Sequence, residues 1–160
     1  MKKYELTTDT KSIFGKRYFR IRALVDFGNV SKGDLGGYIE SEDNLSNDTG
    51  YGNAWVGGEA YVGGDARVVG EARVDGEAYV DGEAYVDSND CYTTIKGFGT
   101  EFRNTTFFRC KDNKIRVQCG CFYGDLEESR QQVKDTRGGK IAKEYLMVAD
   151  LMEYHFSEEK

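Results

Sequence analysis

Proline is absent from these 160 residues, and histidine and tryptophan each occur once. Every turn must therefore be made with Gly, Asn or Asp, and a Pro-rich linker is excluded. No apolar run approaches the ~18 residues of a membrane-spanning helix. The opening Met1-Lys2-Lys3-Tyr4-Glu5-Leu6 lacks the apolar core of a signal peptide, so the four cysteines are expected as reduced thiols in the cytoplasm. No phosphate loop, dinucleotide fingerprint or HExxH is present. A basic stripe is missing too. Residues 1–37 hold eight Lys/Arg against four Asp/Glu; residues 38–90 hold two against thirteen, and 91–160 twelve against eleven. An acidic middle does not suit a nucleic acid, and no nucleic-acid or membrane partner is expected.

What is present in quantity is glycine, twenty residues, and much of it is periodic. From Tyr51 to Val86 the chain reads YGNAWV, GGEAYV, GGDARV, VGEARV, DGEAYV, DGEAYV. Ala recurs at 54, 60, 66, 72, 78 and 84, and Val at 56, 62, 68, 74, 80 and 86. Ala and Val two apart point to one side of a strand, and the residue between them points away. Glycine at the second place of each hexad suits a turn of positive φ. Strand and turn alternating at six residues close a three-sided coil every eighteen, with valine filling the interior. A helix is excluded by the glycine density.

These hexads resemble the left-handed parallel β-helix of the hexapeptide-repeat family. Six hexads make two full coils. Ile39, Leu45 and Tyr51, also six apart but in another phase, suggest part of a third, irregular one. The fold class expected is mainly β: a short left-handed parallel β-helix of two to three coils at 51–90, an N-terminal β cap at 1–50, and a C-terminal hairpin plus two helices at 91–160. So short a solenoid needs caps and neighbours, and the family resemblance implies a homotrimer with parallel helix axes.

Residues eighteen apart stack in adjacent coils. Trp55 then stacks on Arg73, Tyr61 on Tyr79 and Arg67 on Tyr85, giving one aromatic or cation–π pair per face. The acids Glu59 and Glu77, and Asp65 and Glu83, stack likewise; solvated corners account for them. In the flanks, the alternation of Lys16–Leu24 sets Phe19, Ile21 and Ala23 on one face, and 105–119 reads as a hairpin. Asp125 and Glu128 form a capping box, Gly138 and Gly139 stop that helix, and Ile141, Tyr145, Ala149, Met152 and Phe156 form the stripe of a second. The tail is thus expected to be ββαα.

The whole chain resembles small phage and prophage hexapeptide-repeat proteins. The residues that carry this are Lys3-Tyr4-Glu5-Leu6-Thr7, Arg20-Ile21-Arg22-Ala23-Leu24, Gly33-Asp34-Leu35-Gly36-Gly37-Tyr38-Ile39-Glu40-Ser41-Glu42 and Cys119-Gly120-Cys121-Phe122-Tyr123-Gly124-Asp125-Leu126-Glu127-Glu128. The resemblance implies an accessory protein in the cytoplasm of an infected or lysogenic bacterium, with no transferable activity.

Hexapeptide-repeat acyltransferases use a histidine base in a subunit groove. The single His155 beside Phe156 on a helix reads instead as packing or surface, and two coils do not line a long pantetheine arm. Cys91, Cys110, Cys119 and Cys121 lack the paired CxxC knuckles of a zinc site, so neither a metal nor a cofactor is expected. A virion fibre needs more coils. The reading is a non-enzymatic, trimeric, anti-defence binding protein that inhibits a host factor, either by sequestering a signalling nucleotide or by binding a host protein. Stacking and phosphate contacts require aromatic and basic side chains. The ligand or interface candidates are Trp55, Tyr61, Arg67, Arg73, Tyr79 and Tyr85 on the repeat, and Arg103, Arg109 and Arg116 on the hairpin.

Overall fold

The computed structural model describes residues 1–120 and 122–157. The chain begins with a hairpin of β1 (Tyr4–Ile13) and β2 (Lys16–Ala23), turned at Phe14-Gly15 with both φ positive. Such two-residue turns match the twist of the strands they join. Strand β3 (Leu35–Ile39) runs antiparallel to β2. The β2–β3 register shifts between Arg20 and Arg22, with the extra residue in β3. Ile21 and Ala23 are buried in the core of the repeat, Tyr18 is fully buried against the outward tyrosines Tyr61 and Tyr79, and Phe19, expected on the inner face, is only half-buried.

The hexads form six two-residue strands: β4 (Trp55–Val56), β5 (Tyr61–Val62), β6 (Arg67–Val68), β7 (Arg73–Val74), β8 (Tyr79–Val80) and β9 (Tyr85–Val86). The first three each pair in parallel with the strand eighteen residues on, with Trp55 opposite Arg73, Tyr61 opposite Tyr79 and Arg67 opposite Tyr85. Parallel neighbours need a long crossover, and here the crossover is the two intervening strands. All six alanines and the six valines that close the hexads are fully buried.

Strand β3 extends one of these ladders. Tyr38 pairs with Tyr61 and Ile39 with Val62, and Leu45 bridges to Val68. The offset is twenty-three residues rather than eighteen. A capped 3-10 turn at Glu42–Asn44 lies between Ile39 and Leu45. This is why Ile39 and Leu45 run out of phase with the valines yet sit above them. Tyr51, the third member of that series, lies in a second 3-10 turn and is turned out to solvent.

Backbone polarity explains what the flanks must supply. Each coil's N–H groups donate to the coil that follows, as in Trp55 N–H to Ala72 O and Gly57 N–H to Val74 O. The first coil is left with open carbonyls and the last with open N–H groups, and buried orphans are costly. Donors arrive at the first edge: Lys3 Nζ reaches Gly52 O and Ala54 O, and Asn44 Nδ2 reaches Gly64 O and Ala66 O. Acceptors arrive at the last: Asn89 Oδ1, Tyr92 Oη and Thr106 Oγ1 take the N–H groups of Arg73, Asp75 and Tyr79.

The C-terminal region is a four-stranded antiparallel meander, β10 (Tyr92–Phe98), β11 (Arg103–Arg109), β12 (Ile115–Cys119) and β13 (Phe122–Asp125), followed by α1 (Leu126–Thr136) and α2 (Gly139–His155). It is ββββαα, not ββαα; the hairpin read from the sequence is β11–β12, and β10 and β13 flank it. The Asp125–Glu128 capping box starts α1. Gly138 is the N-cap of α2, so the glycine pair joins the helices as well as separating them. One face of the meander, with Phe108 and Cys110, packs into the core of the coil. The other, with Phe107 and Val117, packs on Met152 of α2 and on Phe156, which caps that helix.

The architecture is mainly β with a two-helix module at its C-terminal end: one five-stranded mixed sheet, the antiparallel meander and two short parallel ladders. Among the described residues no helix is long and apolar enough to cross a membrane.

Candidate functional site

The three ladders of the repeat carry the outward candidates, and their surroundings differ. On β4–β7, Trp55 is buried, edge-on to Phe27 at 5.4 Å and to Tyr4 at 6.5 Å. Arg73 beside it is held by Asp75 at 2.7 Å. On β5–β8, Tyr38, Tyr61 and Tyr79 form a column with centroids 5.2 and 5.9 Å apart. Tyr18 closes over this column edge-on, 5.5 Å from Tyr61 and 6.0 Å from Tyr79. Arg20 covers its first ring at 4.6 Å and donates to Tyr38 Oη and Glu59, each at 2.9 Å. The N-terminal hairpin and the loop that carries Phe27 have thus taken the aromatic surface of two ladders.

The third ladder, β6–β9, is bare. Arg67 and Tyr85 are both exposed, and among the described residues the Arg67 guanidinium makes no hydrogen bond or ion pair. Beside it lies a groove of about 450 Å³ lined by Tyr85, Asp87, Arg109, Lys111 and Asn113.

The tail arginines occupy three separate places. Arg103 pairs with Glu101 at the mouth of a cavity between the meander and the helices. Arg109 donates to Asn113 Oδ1 at 2.9 Å and to Phe156 O at 3.1 Å, tying the hairpin to the end of α2. Arg116 pairs with Asp112 at 2.8 Å, and its Nη1 is buried without a hydrogen-bond partner.

The acidic columns are partly neutralised by the flanks. Glu59 meets Arg20 and Lys11, and Glu77 meets Lys96 at 2.8 Å. The Arg20 guanidinium holds the Glu59 carboxyl below its ordinary range. Among the described residues no group of three or more His, Cys, Asp or Glu side chains could hold a metal. Cys91 and Cys110 are buried thiols, and burial pushes Cys110 up. Cys121 lies outside the described residues. His155 is exposed at the end of α2, edge-on to the Phe156 ring at 4.9 Å.

The cavity behind Arg103 has a volume of about 300 Å³. Phe98, Phe107, Phe122 and Tyr145 contribute aromatic walls, and Arg137 joins Arg103 among the lining residues. Of these only Arg103 is a sequence candidate. The others come from β10, β11, β13 and the two helices, and no local spacing links them. The one available signal was the Phe98-Gly99 break after Tyr92-Thr93-Thr94-Ile95, which ends a strand in a loop.

No family model, curated protein or solved structure matches this chain.

Proposed function

We propose that the chain is a non-enzymatic binding protein built on a short left-handed parallel β-helix. It assembles as a homotrimer and inhibits a host factor, as a phage accessory protein does, in the cytoplasm. The left-handed coil is supported by the eighteen-residue parallel pairing with buried Ala and Val. The observation that carries the assembly is the asymmetry of the ladders. The aromatic residues of two are covered by the chain's own N-terminal region, and the third presents Arg67 and Tyr85 beside a groove holding Arg109 and Lys111. Exposed Tyr and Arg are enriched in interfaces. A three-fold arrangement about this ladder gives the bare face a partner and closes each groove with a second copy. The inhibited factor is reached by holding a signalling nucleotide or by direct contact with a host protein. His155, on a helix end and not among the residues lining the cavity or the groove, supports binding over acyl transfer.

Native mass spectrometry of gently sprayed protein tests this reading. The expected mass is three times the 18.0 kDa of one chain, with a discrete excess where a ligand is retained. Arg67→Glu with Tyr85→Ala is expected to return it to monomer, and a wild-type monomer overturns the reading. A bare trimer directs the search to a host protein partner.

A further inference from the structure

We propose that the cavity between the meander and the two helices is a binding site for a small planar aromatic monoanion. The inference rests on reading the chain as a binding protein, and it locates a site away from the repeat.

The size comes first. About 300 Å³ lies at the small end of ligand pockets. It admits one ring system with a compact charged group and excludes a dinucleotide. The walls come next. Phe98, Phe107, Phe122 and Tyr145 line the space, and such faces favour a flat ring.

The charge is set by three side chains. Arg103 and Arg137 line the cavity together with Glu101, leaving one net positive charge. Arg103 is engaged by Glu101. Among the described residues the Arg137 guanidinium makes no hydrogen bond or ion pair, and its backbone N–H closes α1 onto Val133 O. A single negative charge on a ligand therefore meets Arg137, and a second would meet Glu101. The Tyr145 hydroxyl completes the mouth. It reaches so close to Gly99 that a Cβ there would stand 2.6 Å from it. Burial raises its pKa, so it stays a neutral donor. Thr100, Ser129 and Gln132 supply further polar groups around the lining.

Two chemical sources share this description, an aryl carboxylate and a heteroaromatic phosphodiester. Isothermal titration of the full-length protein with 2-naphthoate, 2-naphthamide, 3′,5′-cyclic AMP, AMP and adenosine separates them. At least one monoanion is expected to bind about tenfold tighter than its neutral counterpart, the worth of one charge-assisted hydrogen bond. AMP, with its additional charge, is expected to bind more weakly than the cyclic nucleotide. Arg137→Gln, at an exposed helix end, is expected to remove that tenfold preference. Ala149→Phe, which fills the cavity from α2, is expected to abolish binding.

The proposal is overturned if neither monoanion binds the wild type. It is equally overturned if the neutral probes bind as well, or if Arg137→Gln titrates like wild type. The mass of the same preparation keeps the two readings apart: a trimer that binds no probe overturns this site alone, and a monomer that binds one overturns the trimer alone.

Discussion

The hydroxyls of Tyr18 and Tyr79 lie 2.6 Å apart, joining the N-terminal hairpin to the second coil across sixty-one residues of sequence. Both rings belong to the cluster that includes Tyr61, and burial raises both hydroxyl pKa values above the ordinary 10.0. This contact turns an outward stack into an internal seam.

Tyr18→Phe leaves the Tyr79 hydroxyl without its partner and is expected to cost about 1 kcal/mol in urea unfolding. The pH dependence follows from the same burial. Unfolded tyrosines release protons near 10.0 while the buried pair holds its own. The native state therefore binds more protons above that pH, and stability is complete below it and lost as pH rises. Tyr18→Phe is expected to flatten that loss. Wild-type stability that stays level well above pH 10 sinks the idea.

Lys3 acts in the opposite direction. Its buried ammonium, 5.0 Å from the Phe27 ring centre, is pulled down from 10.5 to about 8 by desolvation, against the opposing pull of Glu71. Between those values the unfolded chain carries a proton that the folded chain has released, so stability rises with pH across that window. Lys3→Met is expected to remove the rise. Unfolding titrations at pH 7 and pH 9.5, on both proteins, read it directly.

Two glycines separate close approach from backbone freedom. A Cβ on Gly37 would stand 2.6 Å from Ala60 O and 2.9 Å from Val56 Cγ1, so Gly37→Ala pushes β3 off the coil, at about 2–3 kcal/mol. Gly76 has φ +69 and nothing within 4 Å of an added Cβ. Gly76→Ala is expected to cost about 1 kcal/mol, and Gly76→Asn less. Thermal melts that rank Gly76→Ala below Gly37→Ala in stability would contradict this account.

Val80 lies fully buried in the coil, paired with Val62. Val80→Ala is expected to lose about 2 kcal/mol, through lost burial and the cavity left behind. Val80→Thr keeps the shape but buries a hydroxyl, and is expected to destabilise as well. Denaturant midpoints on the two variants check both; an unchanged midpoint for Val80→Thr would mean that the interior is wet.

The coil's register was legible in the chain because it depends on local chemistry alone. A side chain's inward or outward direction follows from its place in a two-residue strand, and its neighbour follows from the eighteen-residue period. The capping box at Asp125 and the apolar stripe of α2 were legible for the same reason: their partners lie within one or two turns. Strand β10 was missed because Gly97 interrupts its pattern, and β13 because four residues carry too little alternation to read.

Position within the hexad determined that Tyr61, Tyr79 and Trp55 point outward from their coil. Only the tertiary structure decided what they meet. Strand β2 laid Tyr18 over the outward tyrosines Tyr61 and Tyr79, the offset of twenty-three residues brought Tyr38 onto Tyr61, and the N-terminal region closed over two ladders and left Arg67 and Tyr85 open. Phe98 and Tyr145 likewise share a cavity through the packing of a sheet against helices, across forty-seven residues. A period is written in neighbouring residues, whereas a covered face depends on segments whose contact is set by the burial of their combined surface.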